Sequence, residues 1–265
     1  MPVTQRDRLV RFASIALIGA FLVVVVFEIV AIWIPAIGRG EAPPGLDLGF
    51  YTERTQSWLD GTGFYRERQL QGPYRIENGD ALYPPPAILL FLPWALGVPA
   101  ALWWLIPLGV AVAALWRLRP PLWAWAVLAG VFVHGRMLLA IILGNPSIWA
   151  FAAILGGAAF GWPALVALTK PVLAPFALIG ATQRSWWIGL AIVTVGAIAF
   201  APMWPDYIRV LIDARNERDI WYVIGEVPIA IALAIVGVAG KANGRESGAI
   251  RFRRRFPPFE PKPPA

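Results

Sequence analysis

Between Phe12 and Ile37 the chain runs for twenty-six residues with a single ionisable side chain, Glu28. A hydrocarbon layer of roughly 30 Å is crossed by about 20 helical residues rising 1.5 Å each. This run is long enough to cross a membrane as a helix, and that constrains the chain more than any other feature. Its basic flank (Arg6, Arg8, Arg11) resembles the start of a signal peptide, but the run exceeds a signal core of about 7–15 residues and no small-residue cleavage pattern follows. The reading is a retained signal-anchor span, with Glu28 facing inward and hydrogen-bonded, since a carboxyl group in hydrocarbon costs several kcal/mol, on the order of 2.5–3.5 on insertion scales.

Further apolar runs repeat the pattern: Pro86–Leu96, Ala100–Trp116, Leu122–Leu143, Ile148–Phe160, Pro163–Ile179, Trp186–Pro202 and Val227–Ala239. The chain is 58% hydrophobic and 15% charged, against about 25% charged in ordinary soluble domains. The expected fold is an all-α integral membrane protein, a polytopic helical bundle of about eight hydrophobic segments with a long external first loop. Residues 1–240 form one membrane domain, with that loop at 38–85, and 241–265 form a basic, Pro-rich cytoplasmic tail. Arg6, Arg8, Arg11 and the tail's Arg251, Arg253, Arg254 and Arg255 put positive charge at both ends, so both termini are expected on the cytoplasmic side. Arg117 and Arg119 fit poorly, because strict alternation of eight spans puts them outside. Leu122–Leu143 is read as one span, Pro163–Ile179 as another, and 203–223 as polar with a surface helix. No internal repeat suggests paired transporter halves.

Composition excludes several classes. There is no cysteine, so disulfides and thiolate metal sites are ruled out, and with one histidine, His134, a multi-histidine metal site is impossible within one chain. No metal or cofactor is expected. The net charge of +7 sits next to the apolar runs, which favours membrane lipids over nucleic acid as its partner.

The first loop carries most of the candidate chemistry. Its aromatics (Phe50, Tyr51, Trp58, Phe64, Tyr65, Tyr74) suit short amphipathic segments at the membrane interface. Asp47, soon after the first span, has the position of a general base acting near the outer surface, or of an ordinary loop aspartate or helix cap. Asp60-Gly61 marks a turn. Tyr83-Pro84-Pro85-Pro86 ends the loop and starts a helix, where proline's missing N–H is not needed. His134 and Arg136 lie in an apolar run near Asn145, and Lys170-Pro171 lies in another. Ionisable groups at membrane depth face a cavity or a partner, or in lysine's case snorkel to the interface. A cationic cluster beside a cavity suits a lipid phosphate.

Taken in order, Asp47 with Phe50-Tyr51, Trp58-Leu59-Asp60-Gly61, Phe64-Tyr65, Tyr83-Pro84-Pro85, Gly144-Asn145 and Thr169-Lys170-Pro171 resemble the GT-C glycosyltransferases that use polyprenyl-phosphate sugars, in particular the mannosyltransferase-like glycosyltransferase family 87. The resemblance runs from about residue 10 to 200. It implies a membrane glycosyltransferase of the bacterial inner membrane, transferring a hexose, mannose in that family, from a polyprenyl-phosphate donor to a glycan or lipid acceptor outside, with inversion and without a bound metal. It makes Asp47 the catalytic base, and Tyr83 and Pro84 the closure beneath the cavity. Asn145 lies near the donor and Lys170 on its phosphate; Tyr51 and Arg136 complete the substrate-binding set. The C-terminal half is shorter than in that family. This motivates a second reading, an inactive or partner-dependent relative serving in membrane assembly. A third, a transporter or lipid flippase, follows from the charged residues within apolar runs.

Overall fold

A computed structural model describes residues 5–215 and 225–255, with side chains through 214 and from 225 to 243. The chain is all-α. Its only strands among the described residues are two-residue pieces, β1 (Tyr74–Arg75) and β2 (Ala214–Arg215), paired in parallel. The first apolar run forms α1, Gln5–Gly38, the one uninterrupted helix among the described residues that is long and apolar enough to cross a membrane. Its turn Ile29–Trp33 is widened to a π-helix just before Pro35, where proline removes a backbone donor. Glu28 ends the α-helical part half-buried, and its side chain makes no hydrogen bond among the described residues, unlike the bonded, inward position expected of it.

The loop after α1 is folded. It contains α2 (Leu46–Leu59) and α3 (Glu67–Leu70), and leads through a 3-10 turn at Pro85–Ala87 into α4 (Ile88–Ala95). Phe64, Tyr65 and Tyr74 are buried rather than spread at an interface. A loop of this length needs partners for its backbone groups, and side chains supply them. Buried Gln69 accepts from the Arg66 N–H and donates to the Ala81 carbonyl, Tyr65 donates to the Tyr83 carbonyl, and Tyr74 to that of Val210. Asp80, fully enclosed, binds Arg68 at 2.5 Å and the Glu77 N–H at 2.8 Å.

The bundle continues with α5 (Leu102–Leu118), α6 (Leu122–Val133), α7 (Gly135–Leu143) and α8 (Ser147–Phe160). The expected span Leu122–Leu143 is therefore broken: α6 and α7 meet at His134-Gly135 with a 66° bend, at two poor helix formers. The expected span Pro163–Ile179 is not α-helical. It forms two 3-10 arms, Trp162–Thr169 and Pro171–Gly180, in contact side by side and joined at Lys170. Pro163, Pro171 and Pro175 remove donors that an α-helix needs, and Lys170, preceding a proline, is extended at φ −118° and ψ 110°. Then come α9 (Arg184–Ala199), α10 (Trp204–Asp213) and α11 (Val227–Arg255). The surface helix expected within 203–223 is α10; residues 216–224 lie outside the described residues. α11 runs through the tail boundary placed at 240, since no proline interrupts it before Pro257. The tail beyond Arg255, and the side chains of Arg251, Arg253, Arg254 and Arg255, also lie outside.

One helix, or up to three if each bent pair counts as one, is long and apolar enough to cross a membrane among the described residues, and further apolar helices are shorter. Besides α1, two bent pairs, α6 with α7 and α9 with the helical segment after it (65°), are apolar and long enough when each is taken together. Helix ends gather at two poles. At one, Asn243 donates to the Arg119 carbonyl (2.8 Å), Lys241 to Thr182 (3.2 Å) and Arg117 to the Ala159 carbonyl (3.1 Å). At the other, Trp103 and Trp104 of α5 donate to the carbonyls of Gly144 (2.8 Å) and Ile141 (2.7 Å).

Candidate functional site

The second pole is built by chain breaks. Gly144, at φ 67°, ends α7 in the left-handed region, and a Cβ there would stand 3.1 Å from Trp104 and 3.3 Å from Leu48, so glycine suits both the conformation and the space. Asn145 follows, its N–H bonded to the Ala140 carbonyl at 2.8 Å. Pro146 then opens α8 at Ser147. Opposite, Gly45 (φ 78°) donates its N–H to the Ile142 carbonyl at 2.9 Å and starts α2, placing Asp47 in the first turn.

Four helical N-termini thereby carry the polar residues of one cluster: Asp47 on α2, Ser147 on α8, Lys170 ahead of the second 3-10 arm, and Glu226 ahead of α11. Asn145 donates to Asp47 Oδ2 at 2.6 Å. Its own Oδ1 accepts the Ser147 N–H (3.0 Å) and Lys170 Nζ (3.3 Å). Lys170 Nζ also donates to Ser147 Oγ and to both Glu226 oxygens, at 2.6 and 2.7 Å. Ser147 Oγ lies 2.5 Å from Asn145 Oδ1 and 2.6 Å from Glu226 Oε1; with one proton, it donates to one of them at a time. Helix N-termini present partial positive charge and unsatisfied N–H groups, and here they gather around two carboxylates and an ammonium.

Burial pushes the Asp47 carboxyl above the ordinary aspartate range; the Asn145 bond and the Lys170 charge pull it down, and Glu226 pushes it up. Tyr83 is fully buried beside it, its ring 4.9 Å from that of Tyr51 and edge-on. Burial, with the neighbouring Tyr51, holds the Tyr83 phenol firmly neutral. Tyr51 stacks on Phe91 at 5.1 Å, so the wall next to Asp47 is aromatic. An apolar cavity of about 270 Å³ is lined by Trp104, Leu108, Ile141, Ile148, Phe151 and Leu233 among others, and by none of the cluster's polar residues. Ile148 follows Ser147 in sequence, and the Ile141 carbonyl is held by Trp104.

Of the residues expected at the site, Asp47 and Lys170 are joined through Asn145, and Tyr51 and Tyr83 flank them. Pro84 sits in the backbone turn, its carbonyl accepting the Ala87 N–H at 2.9 Å, and takes no part in the polar cluster. Arg136, expected near Asn145, begins α7, whereas Asn145 follows its end; nine residues of rise separate them by about 13 Å. His134 stays at the α6–α7 break with Nδ1 buried and unpartnered among the described residues. Sequence reasoning missed Ser147 and Glu226. Their signals were modest: a hydroxyl two residues after Asn145, and a carboxylate just before the last apolar run, where helix starts favour acids. No family model matches this chain, and no curated protein or solved structure matches it either.

Proposed function

We propose that this protein is a membrane glycosyltransferase that moves a hexose from a polyprenyl-phosphate donor to an acceptor at the outer face, with Asp47 as general base. The observation carrying this reading is the convergence of Asp47, Asn145 and Lys170 from three distant segments, at the N-terminal ends of α2, α8 and the second 3-10 arm. A base needs a carboxylate poised above its usual range and within reach of the reacting hydroxyl. Asp47 has the first property, and its Oδ1 accepts no hydrogen bond from the described residues. Lys170 and the helix ends suit a phosphate leaving group, and the apolar cavity suits the lipid chain attached to it. Tyr51, half-buried and backed by Phe91 and the buried Tyr83, offers an aromatic edge for a sugar ring.

The charge distribution supports the orientation. Arg117, Arg119 and Lys241 share the pole opposite the cluster, and Arg184 begins α9 close by. Positive residues favour the cytoplasmic side, which supports a cluster facing outside and chain ends facing inside. The misfit of Arg117 and Arg119 disappears, because α5 ends at the basic pole. The test is transfer from labelled polyprenyl-phosphate mannose in membranes containing wild type or Asp47→Asn. Transfer by wild type alone supports the reading; equal transfer by both removes Asp47 as the base.

A further inference from the structure

The ammonium of Lys170 has more acceptors than protons. An ammonium donates three hydrogen bonds, yet four oxygens surround this one: two from Glu226, Ser147 Oγ and Asn145 Oδ1. Its donors are spent within the protein, and none is left for an incoming phosphate. Glu226, a carboxylate held on the same ammonium, repels a phosphate brought to that ammonium.

We propose that Glu226 is the resident counter-anion of Lys170, occupying the place that the phosphate of a lipid-phosphate ligand takes, so that the ligand binds by displacing this carboxylate. The proposal rests on the reading of the site as a lipid-phosphate transferase, and it adds a device that sets donor affinity. Three observations carry it. Both oxygens of Glu226 grip one ammonium, as two phosphate oxygens can. Glu226 stands at the N-terminus of the long α11, so a phosphate replacing it inherits the favourable end of that helix as well as Lys170. Of the four acceptors, Glu226 alone is charged. Asn145 is engaged with Asp47 and with the Ser147 N–H, and Ser147 is fixed on the first turn of α8, so Glu226 is the group with which an anion competes.

The displaced carboxylate also leaves its mark on the base. Glu226 pushes the Asp47 carboxyl up. Replacing it with a neutral amide lowers that carboxyl, and the acid limb of any Asp47-dependent rate moves to lower pH.

The experiment is calorimetric titration of the full-length protein in lipid nanodiscs with farnesyl phosphate, an isoprenoid phosphate without sugar. Farnesol and inorganic phosphate serve as the two half-probes. Glu226→Gln is expected to tighten farnesyl phosphate binding about tenfold, the scale of removing one competing charge contact, while farnesol binding is unchanged. Adding Lys170→Met to Glu226→Gln abolishes the gain. Glu226→Asp, a shorter carboxylate, gives a smaller gain and serves if the glutamine variant does not fold. A gain for inorganic phosphate as well assigns the competition to the phosphate group itself; a gain confined to farnesyl phosphate makes the tethering chain necessary. Unchanged or weaker farnesyl phosphate binding in the folded Gln or Asp variant overturns the proposal. Sugar transfer measured in parallel separates the two claims. A binding gain without transfer by any variant keeps the counter-anion and rejects the transferase. Transfer by wild type without a binding gain does the reverse.

Discussion

α1 and α8 are both strongly apolar, yet they keep opposite company. Along α1, from Gln5 to Gly38, only Ser14 and Ala36 are buried, and large side chains such as Val23, Phe27 and Val30 are exposed. α8 has fourteen residues, and twelve of them are buried. The difference lies in side-chain size rather than hydrophobicity. α8 reads Ala-Ala-Ile-Leu-Gly-Gly-Ala-Ala through its middle, and these small residues let α5, α11 and both 3-10 arms approach closely. A Cβ on Gly157 would stand 2.4 Å from that of Ala164, and one on Gly156 would stand 2.9 Å from Val110. In a bilayer, lipid is as apolar as leucine, so packing rather than hydrophobic burial holds helices together. The Val-rich helix keeps its large side chains exposed and is long and apolar enough to cross a membrane, whereas the Gly/Ala-rich one becomes the centre. The centre then carries the site, because its N-terminus is Ser147.

That contrast can be broken by substitution. The largest effect is expected from Gly157→Leu, which forces a side chain into the Ala164 contact; overpacking of this kind costs about 3 kcal/mol or more. Gly19→Leu on α1, where nothing lies within 4 Å of a Cβ, is expected to leave stability unchanged. Thermal unfolding of the two purified variants, side by side, checks the pair. Next comes Lys170→Met, which removes the ammonium that meets Ser147 at the head of the central helix. It leaves Glu226 without its cation in a partly enclosed site and is expected to cost roughly 3 kcal/mol, read from the same scans, together with loss of sugar transfer. Asn145→Ala removes the bond that pulls the Asp47 carboxyl down. Since transfer needs the ionised carboxylate, the acid limb of the pH–rate profile is expected to move to higher pH, opposite to the move expected for Glu226→Gln. The smallest effect is expected from Val23→Ala in the exposed face of α1, within about 0.5 kcal/mol.

Much of the bundle is legible from apolar run length alone. α1, α5, α8, α9 and the start of α11 fall where the runs lie, because helices are the economical way to satisfy backbone groups in an apolar setting. Two runs mislead, since composition does not reveal geometry. Leu122–Leu143 is continuous in hydropathy but breaks at His134-Gly135, and Pro163–Ile179 folds back on itself at Lys170. The second error matters more, because the fold-back brings Lys170 to Asn145. Within the site, Asp47, Asn145 and Lys170 were visible as polar residues in unusual company. Glu226 was not, since its partner lies 56 positions away in sequence and only the tertiary fold joins them. Arg136 stood close to Asn145 in sequence and was set apart by the rigid length of α7.

The central claim is that Asp47 is the base that takes the proton of an acceptor hydroxyl as a sugar leaves its lipid phosphate. Its most direct test is transfer of labelled mannose from polyprenyl-phosphate mannose by the purified protein in nanodiscs, comparing wild type with Asp47→Asn matched for folding and for farnesyl phosphate binding. The account predicts transfer by wild type and a loss of about a hundredfold or more in the variant, the scale of general-base catalysis. Equal transfer by the two proteins, or none by wild type with the donor bound, contradicts it.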